Sequence, residues 1–361
     1  MNKNVFRPTI ATIHLDAILH NYQLIQSLAP NSRIVAVVKA NAYGHGAWPV
    51  ARHLAAQAEA FAVACLEEAL QLRQTGISQP IVLLEGFFSA RELPLIAHHH
   101  FIPVFHHHAQ IEQLYSSNVS QPMDAWIKMD SGMHRLGFAP EKYAAACQRV
   151  HDHPCIRSLV AMTHLACADN PDHDFTTQQL AVFTRYNPLK IKSISNSAGI
   201  FTGAESHQEW VRPGIALYGG LPLLAPNEKT EKLRPAMCLS SKIIAIQEVK
   251  AGDRIGYGGD FLCQRNTKAG VVAIGYADGY PRHAPTGTPV WVAGRRVPLI
   301  GRVSMDMISV DLTDHPSAIL GDEVELWGQH LSVNEVAACC KTISYDLLTG
   351  VTGRVVFHYS S

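Results

Sequence analysis

Several residues able to perform chemistry stand where short apolar runs of the sequence end. Lys39 follows such a run in "VVKANAYGHG", Lys128 and Arg135 lie in "IKMDSGMHRLG", and His164 follows a third run. A lysine whose pKa is lowered by desolvation or by nearby cations attacks carbonyl groups as a neutral amine and forms a Schiff base. A single lysine at a strand end is more often simply solvated, so this chemistry requires several such residues to meet.

Two segments rich in small residues could hold a phosphate. "SNSAG" contains Asn196 and Ser197, and "RPGIALYGG" contains Arg212 and Gly214. Small side chains let backbone N–H groups approach phosphate oxygens closely. An aldehyde-reactive lysine facing a phosphate site indicates pyridoxal 5'-phosphate (PLP). A Schiff-base aldolase acting on a sugar phosphate fits the same residues, although a simple barrel aldolase would not require the β-rich segment described below.

The elements that must position these residues are short apolar runs separated by helix-length segments. There are eight runs, at residues 34–38, 61–65, 81–84, 101–105, 125–129, 159–163, 191–194 and 211–217. Continuous apolar strands alternating with helices, such as those expected over 16–29, 47–60 and 141–151, indicate a parallel sheet covered on both faces. Eight units predict a (β/α)8 TIM-like barrel, in which chemistry gathers at the C-terminal strand ends. One miscounted strand would permit an open sheet instead.

After about residue 233 the sequence becomes rich in short strands and Gly, Asp and Pro turns. Strands are expected over 242–248, 270–274, 289–292, 297–300, 307–312 and 323–327, with one helix over 333–340 after Ser332. This texture is typical of an all-β unit. We therefore predict a cofactor-binding barrel over 1–231, whose first few residues pack on the C-terminal domain, and a predominantly β domain over 232–361.

Composition excludes several classes of protein. The 361 residues carry 30 Lys and Arg against 30 Asp and Glu, so the formal net charge is zero and the basic footprint of a nucleic-acid binder is missing. The N-terminal segment has no apolar signal-peptide core and no run is long enough to span a membrane, which favours a cytoplasmic protein. Eight scattered cysteines without a CxxC pair predict reduced thiols rather than disulfides or zinc. The histidine triplets at 98–100 and 106–108 are interpreted as surface residues, and no metal is expected.

Eight ordered motifs give the chain a resemblance to bacterial alanine racemases over nearly its whole length. They are "VVKANAYGHG" (37–46), "IKMDSGMHRLG" (127–137), "SNSAG" (195–199), "RPGIALYGG" (212–220), "IGYGGDF" (255–261), "IGYADGYPR" (274–282), "GRVSMDM" (301–307) and "TISYDLL" (342–348). The resemblance implies a PLP-dependent homodimer with active sites shared between subunits. It also implies interconversion of L- and D-alanine, for peptidoglycan supply or for alanine catabolism, without nucleic-acid or membrane partners.

By this resemblance, Lys39 holds PLP as an internal aldimine and acts with Tyr257 as one of two catalytic bases. His164 packs beside the pyridine ring, and Arg212 hydrogen-bonds the pyridine nitrogen. The phosphate is held by five residues: Tyr43, Ser197, Gly214, Ile215 and Tyr345.

The same resemblance implies a carboxylated lysine and a contribution from the partner subunit. Lys128 becomes a carbamate that orients Arg135, which contacts the cofactor and the substrate. Tyr257 and Met305 come from the partner, where the Met305 N–H binds the substrate carboxylate. The entrance is narrowed by Tyr276 and Tyr345. Ser344 departs from the proline expected before Tyr345, which bears only on the rigidity of that loop.

Two other functions share these features. A related barrel-fold PLP amino-acid decarboxylase would have the same lysine and a β domain, but "IGYGGDF" and "GRVSMDM" favour the racemase. A non-catalytic PLP-binding protein of the same barrel type would lack residues 235–361. The sequence is compatible with biosynthetic and catabolic roles, and with activity on serine.

Overall fold

The computed structural model describes residues 6–361, so the predicted packing of the first few residues falls partly outside the described residues. By their contacts, the residues form two compact units. One contains Leu19–Leu217 and Leu221–Leu233, and the other contains residues 6–18, Tyr218–Gly220 and Arg234–Ser361. We keep the domain boundary at residues 231 and 232 as a proposal.

A closed barrel of eight parallel strands forms the centre of the first unit, which confirms the predicted fold. Its strands are Arg33–Val37, Ala60–Val63, Ile81–Leu83, Phe101–Phe105, Met123–Lys128, Ile156–Met162, Lys192–Ser193 and Trp210–Val211. Most of the predicted runs are apolar throughout because both faces of these strands are buried. The last predicted strand was too long: after Val211 the chain leaves the ladder at Pro213, which has no N–H to donate, and Ile215–Tyr218 forms a short 3-10 turn.

Helices follow most barrel strands, as the alternating pattern predicts. They are Leu15–Leu28, Ala47–Leu54, Leu66–Gln74, Leu93–His98, His108–Ser116, Pro140–His151, Phe175–Tyr186 and Ser197–Thr202, with 3-10 turns at Ala90–Glu92, Ala204–Ser206 and Thr230–Lys232. The helix expected over 47–60 ends at Leu54, because the buried residues from Ala60 onward belong to the second strand. The first of these helices begins at Leu15, so Asp16 lies inside its first turn and not at the position that precedes the helix.

The second unit is built on an eight-stranded sheet. In spatial order its strands are Thr267–Val272, Ile308–Asp311, Arg295–Ile300, Pro289–Val292, Glu323–Trp327, Met237–Val249, Ile10–His14 and Val356–Ser360. The long strand Met237–Val249 also pairs with Thr267–Val272. All pairings are antiparallel except that between the strand near the N-terminus and the last strand.

Smaller elements complete this unit. They are a two-stranded hairpin (Arg254–Ile255 and Phe261–Leu262), 3-10 turns at Tyr257–Gly259 and Tyr276–Asp278, and the helices Val333–Cys339 and Ser344–Gly350. Ser332 caps the first of these helices by accepting from the Asn334 N–H at 3.2 Å. No helix within residues 6–361 is both long and apolar enough to cross a membrane.

Candidate active site

A left-handed turn presents the first lysine. The strand Arg33–Val37 leads through Val38 to Lys39, and the next four residues, Ala40 to Tyr43, have φ angles between 50° and 54°. Left-handed backbone costs an L-residue roughly 1–2 kcal/mol, and runs without glycine are rare. The turn is held by the Gly44 N–H on the Ala40 carbonyl at 3.0 Å and by Asn41, whose side chain accepts from the Ala47 N–H at 2.9 Å. Strain of this kind concentrates at functional sites.

Lys39 lies in a cationic environment. Burial lowers its pKa first and the charge of Arg135 lowers it further, while Glu85 and Glu68 act in the opposite direction. A lowered pKa increases the neutral fraction of the amine, which is the form that attacks a carbonyl or accepts a proton. Arg135 itself is exposed, and it makes no hydrogen bond or ion pair with any residue from 6 to 361.

Lys128 ends the fifth barrel strand and is almost fully buried. Its burial, followed by the charges of Arg212 and Arg135, lowers its pKa to about 8. The ordinary partner would be Asp130, but that carboxylate accepts instead from the backbone N–H groups of Gly132 at 3.0 Å and His134 at 2.9 Å. Within the described chain, the Lys128 amine therefore has no hydrogen-bond or ion-pair partner. The lowered pKa increases the fraction of this amine that is neutral at physiological pH.

Arg212 is buried and fixed by carbonyl and hydroxyl oxygens of neighbouring strands. Nη1 donates to the Ser193 hydroxyl at 2.6 Å, and Nη2 donates to the carbonyls of Thr163 at 2.7 Å and Ile194 at 3.1 Å. Burial lowers its pKa to about 9, which still leaves it protonated at neutral pH. Its Nε–H finds no acceptor in the described part of the chain, so one donor of a rigid guanidinium is available.

His164 is held neutral beside this arginine. Its burial, and then the charges of Arg212 and Lys128, keep its pKa well below the usual range. Nη2 of Arg212 lies 3.4 Å from His164 Nδ1, so that ring nitrogen accepts and the imidazole presents a flat, uncharged face.

The loops that follow the seventh and eighth strands are joined by hydrogen bonds at Ser197 and Gly214, and we call this site the cradle. The Ser197 hydroxyl accepts from the N–H groups of Gly214 at 2.8 Å and Ala216 at 3.3 Å, and Asn196 caps the helix Ser197–Thr202 through the Gly199 N–H at 3.0 Å. A Cβ on Gly214 would overlap the hydroxyl of Tyr43. A larger residue at this position would therefore have to displace the Tyr43 side chain, and the buried Ile215 continues the same loop.

The remaining predicted site residues belong to the other unit. Tyr257 is 68 % exposed and Met305 52 % exposed, whereas Tyr276 is 38 % exposed and Tyr345 is half-buried. Tyr257 follows Gly256, whose φ of 77° requires glycine. The Met305 carbonyl accepts from the Ala277 N–H at 3.0 Å. The Met305 N–H itself donates to no acceptor within residues 6–361.

Sequence reasoning missed the groups that hold these side chains. The carboxylate of Glu68 accepts from the N–H groups of Ala40 and Ala64, both at 2.8 Å, and so joins the ends of the first two strands. Ser193 and Thr163 hold Arg212. For Ser193, whose hydroxyl accepts from Arg212, the available signal was a polar residue inside an apolar strand run, and for Glu68 it was an acidic residue in the first turn of the following helix. Thr163 holds Arg212 through its backbone carbonyl, for which residue type gives no signal.

Comparison with known proteins is consistent over the full length of the chain. The family model of the alanine racemase N-terminal domain matches residues 13–222, and that of the alanine racemase C-terminal domain matches residues 236–359. An alanine racemase of Chromohalobacter salexigens is 50 % identical over 358 residues, covering 98 % of each chain. A biosynthetic alanine racemase of Pseudomonas aeruginosa and a catabolic one of Pseudomonas putida are each 48 % identical, over 98 % and 94 % of this chain and 99 % and 96 % of their own lengths.

Solved structures agree with these relatives. The crystal structure of the biosynthetic alanine racemase from Pseudomonas aeruginosa has a TM-score of 0.96 and 47 % identity, with 99 % of this chain and all of that chain covered. The alanine racemase of Bartonella henselae, described with covalently bound pyridoxal phosphate, has a TM-score of 0.89 and 32 % identity, covering 98 % and 99 % of the two chains.

Proposed function

Since this chain belongs to the alanine racemase family, we propose that it interconverts L-alanine and D-alanine with PLP on Lys39, and with Lys39 and Tyr257 as its two bases. The observation that supports this most directly is the cluster of basic groups at the barrel mouth. After burial, the charges of Arg212 and Lys39 lower the pKa of Lys128, and those of Arg212, Lys128 and Lys39 lower the pKa of His164. The family likeness supplies the substrate.

The residues of the barrel fit the cofactor. The Nε–H of Arg212 donates to no acceptor within residues 6–361, which suits the pyridine nitrogen. The cradle of Ser197 and Gly214 brings backbone N–H groups and the Tyr43 hydroxyl close together, which suits a phosphate. Lys39 supplies the amine for the covalent bond. PLP bound there would delocalise the negative charge that remains when the α-proton of the amino acid is removed.

Two bases on opposite faces would move the protons. Burial, and then the charge of Arg135, lower the pKa of Lys39, which lets its amine accept a proton on one face and return it. A tyrosine hydroxyl ordinarily has a pKa near ~10, and a neighbouring cation favours its phenolate form. We assign the second face to Tyr257 of the partner subunit, with Arg135 as that cation. The Met305 N–H of the partner subunit would bind the substrate carboxylate.

Arg212 would set the electronic character of the site. A guanidinium can only donate a hydrogen bond, so the group that receives its Nε–H keeps its lone pair and remains unprotonated. The three hydrogen bonds to Ser193, Thr163 and Ile194 prevent Arg212 from rotating away. With PLP bound, an unprotonated ring nitrogen would draw less negative charge from the substrate, so proton transfer would depend more strongly on the two bases.

Lys128 would be carboxylated. The neutral Nζ lone pair attacks the carbon of CO2, and loss of one proton from Nζ leaves a carbamate anion. A carbamate would replace the repulsion between the cations Lys128 and Arg135 with attraction. The anion would hold the otherwise unpartnered Arg135 in position.

A direct assay tests the reaction. PLP-loaded protein incubated with L-alanine should yield D-alanine without release of CO2. The same assay with L-serine measures whether the protein also racemises serine. CO2 and ethylamine would instead indicate the related decarboxylase, and no turnover would indicate a non-catalytic PLP-binding protein. The biosynthetic and catabolic relatives are equally similar, at 48 % identity, so this comparison assigns neither role.

A further inference from the structure

Four charged residues tie the N-terminal segment to two loops of the second unit. Asp278 is fully buried, and both Nη groups of Arg7 donate to its carboxylate, with Nη2 at 2.8 Å from Oδ2. Arg7 Nη2 also donates to the Asp306 carbonyl at 3.1 Å. Arg354 donates to the Asp306 carboxylate at 2.7 Å and lies 3.6 Å from that of Asp278. We call Arg7, Asp278, Asp306 and Arg354 the arginine clamp.

Asp278 of the arginine clamp belongs to the turn Tyr276–Asp278, which lies unusually close to the backbone of Ser304 and Met305. The Gly275 N–H donates to Asp278 Oδ2 at 2.9 Å, which fixes the turn that carries Tyr276. A Cβ on Gly275 would overlap the carbonyl groups of Ser304 and Met305, so only glycine lets this turn lie directly against the Ser304–Met305 backbone. The Tyr276 N–H donates to the Ser304 carbonyl at 3.0 Å.

The hydrogen bond from the Tyr276 N–H to the Ser304 carbonyl determines the direction of a second donor, the Met305 N–H. The Ser304 carbonyl and the Met305 N–H belong to one planar trans peptide group, so they point in opposite directions. Fixing the carbonyl on Tyr276 therefore fixes the direction of the Met305 N–H. The Met305 carbonyl is fixed in turn on the Ala277 N–H at 3.0 Å.

We propose that Arg7 is a positioning residue for the substrate carboxylate. Through Asp278 and the Asp306 carbonyl it holds the turn that orients the Ser304–Met305 peptide group, and hence the Met305 N–H. This inference rests on the proposed function in one respect, the role of that N–H as the carboxylate donor. The carboxylate is unchanged during racemisation, so the interaction is equally strong before and during the reaction. Losing it raises KM and leaves kcat unchanged.

The experiment compares Arg7→Ala and Arg7→Lys with a matched control. Arg265→Ala removes another arginine from the same unit, one that pairs with Asp314 at the surface. Each PLP-loaded variant is assayed for KM and kcat with L- and D-alanine, and for inhibition by propionate, which has the carboxylate and methyl group of alanine without the amine. Loss of a hydrogen bond to a charged group corresponds to about ten- to hundredfold in affinity.

For Arg7→Ala we expect KM in both directions and the propionate inhibition constant to rise together by about tenfold, with kcat unchanged. Arg7→Lys keeps the positive charge but cannot donate two parallel hydrogen bonds, so it should raise KM and the propionate inhibition constant less. If Arg7→Ala does not fold, Arg7→Lys alone tests the proposal. Arg265→Ala should match the parent protein. Unchanged KM and propionate inhibition in the folded Arg7 variants would overturn the proposal, as would a fall in kcat alone.

Met305→Pro separates this inference from the function on which it rests, because proline has no N–H. If propionate binds a folded Met305→Pro variant normally, the carboxylate role of Met305 is wrong and the inference about Arg7 fails with it. If Met305→Pro loses propionate while the Arg7 variants retain it, only the role of Arg7 is wrong.

Discussion

At the scale of single residues, basic groups are concentrated in a buried region where their positive charges repel one another. Burial is the first cause that lowers the pKa of Lys39, Lys128, His164 and Arg212. The charges of Arg212, Arg135 and Lys39 lower the pKa values of Lys128 and His164 further. Such an arrangement reduces stability unless an anion occupies it. A cofactor phosphate and a carbamate on Lys128 would both supply negative charge. The same surroundings that make the site unfavourable for cations thus prepare it for anionic ligands and for neutral, reactive amines.

Carboxylation of Lys128 should depend on pH in a defined direction. Only the neutral amine reacts with CO2, so at constant dissolved CO2 the carbamate should increase as pH rises through about 8, where burial places the pKa of Lys128. With 13CO2, carbon NMR of the protein should show a carbamate signal that is absent from Lys128→Ala. That variant should lose about ten- to hundredfold in activity, and added acetate should restore part of it.

The control for this prediction is Lys142→Ala, which removes an exposed lysine from the helix Pro140–His151. It should keep both the signal and the activity. A signal that is missing throughout would contradict the carbamate without affecting the assignment of the racemase. A Lys128 signal that does not change between pH 7 and pH 9 would contradict only the predicted pH dependence.

Replacing Arg212 should alter the outcome of turnover as well as its rate. Arg212→Glu places a carboxylate near the pyridine nitrogen, which favours a protonated, more electron-withdrawing ring. We expect racemisation to fall and the fraction of turnovers that end in pyruvate and pyridoxamine phosphate to rise. Arg212→Lys still offers only donors and should be slower without making pyruvate. Pyruvate from neither or from both variants, in protein that retains PLP, would reduce Arg212 to a structural contact.

At the scale of elements, apolar runs and glycine-rich loops differ in what the sequence reveals. The barrel strands were predictable because burial on both faces leaves each as a continuous apolar run. Ile10–His14 and Val356–Ser360 were missed: they are short, only partly buried, and lie beside each other at the edge of the sheet of the second unit. The helix Ser344–Gly350 begins with Ser344 where proline would have marked its first turn.

The left-handed turn after Lys39 could not be predicted from residue types. Ala40, Ala42 and Tyr43 carry Cβ atoms that disfavour positive φ, and only Asn41 tolerates it readily. The conformation follows from tertiary contacts, including the Glu68 carboxylate on the Ala40 N–H. Polar residues at strand ends predicted a cluster of reactive groups at one rim of the barrel, but the residues that hold these groups in place came from positions that the sequence pattern treats as ordinary.

The cradle between the last two barrel loops should be sensitive to a single methyl group. In Gly214→Ala the new Cβ overlaps the Tyr43 hydroxyl, and overpacking of this kind costs roughly 1–3 kcal/mol. We expect PLP affinity, measured by titration of the apoprotein, to fall by about tenfold or more. Gly353→Ala, where a Cβ meets open space, is the control. Tyr43→Phe removes the overlapping oxygen together with a proposed phosphate contact, so Gly214→Ala should lower PLP affinity less in the Tyr43→Phe background than in the parent protein. No fall in Gly214→Ala would show that the cradle does not hold the cofactor.

At the scale of the whole molecule, the predicted functional residues are divided between the two units. The barrel carries Lys39 and the groups around it, whereas Tyr257 and Met305 lie on exposed loops of the second unit. A racemase needs a proton donor on each face of the substrate, and the barrel cluster supplies one. A two-fold dimer that places the second-unit loops of one chain over the barrel of the other would supply the second base twice by symmetry.

Subunit complementation tests this arrangement. Lys39→Ala and Tyr257→Phe should each be nearly inactive, but a purified hybrid dimer has one site with both bases intact and should regain about half of the parent activity. The control is a hybrid of Lys39→Ala with Lys128→Ala, two changes in the same barrel. Each active site of that hybrid lacks either Lys39 or Lys128, so its activity should not exceed that of the two separate variants. If the verified Lys39→Ala/Tyr257→Phe hybrid is as inactive as this control, each active site is built from one chain, and Tyr257 must reach Lys39 within its own subunit.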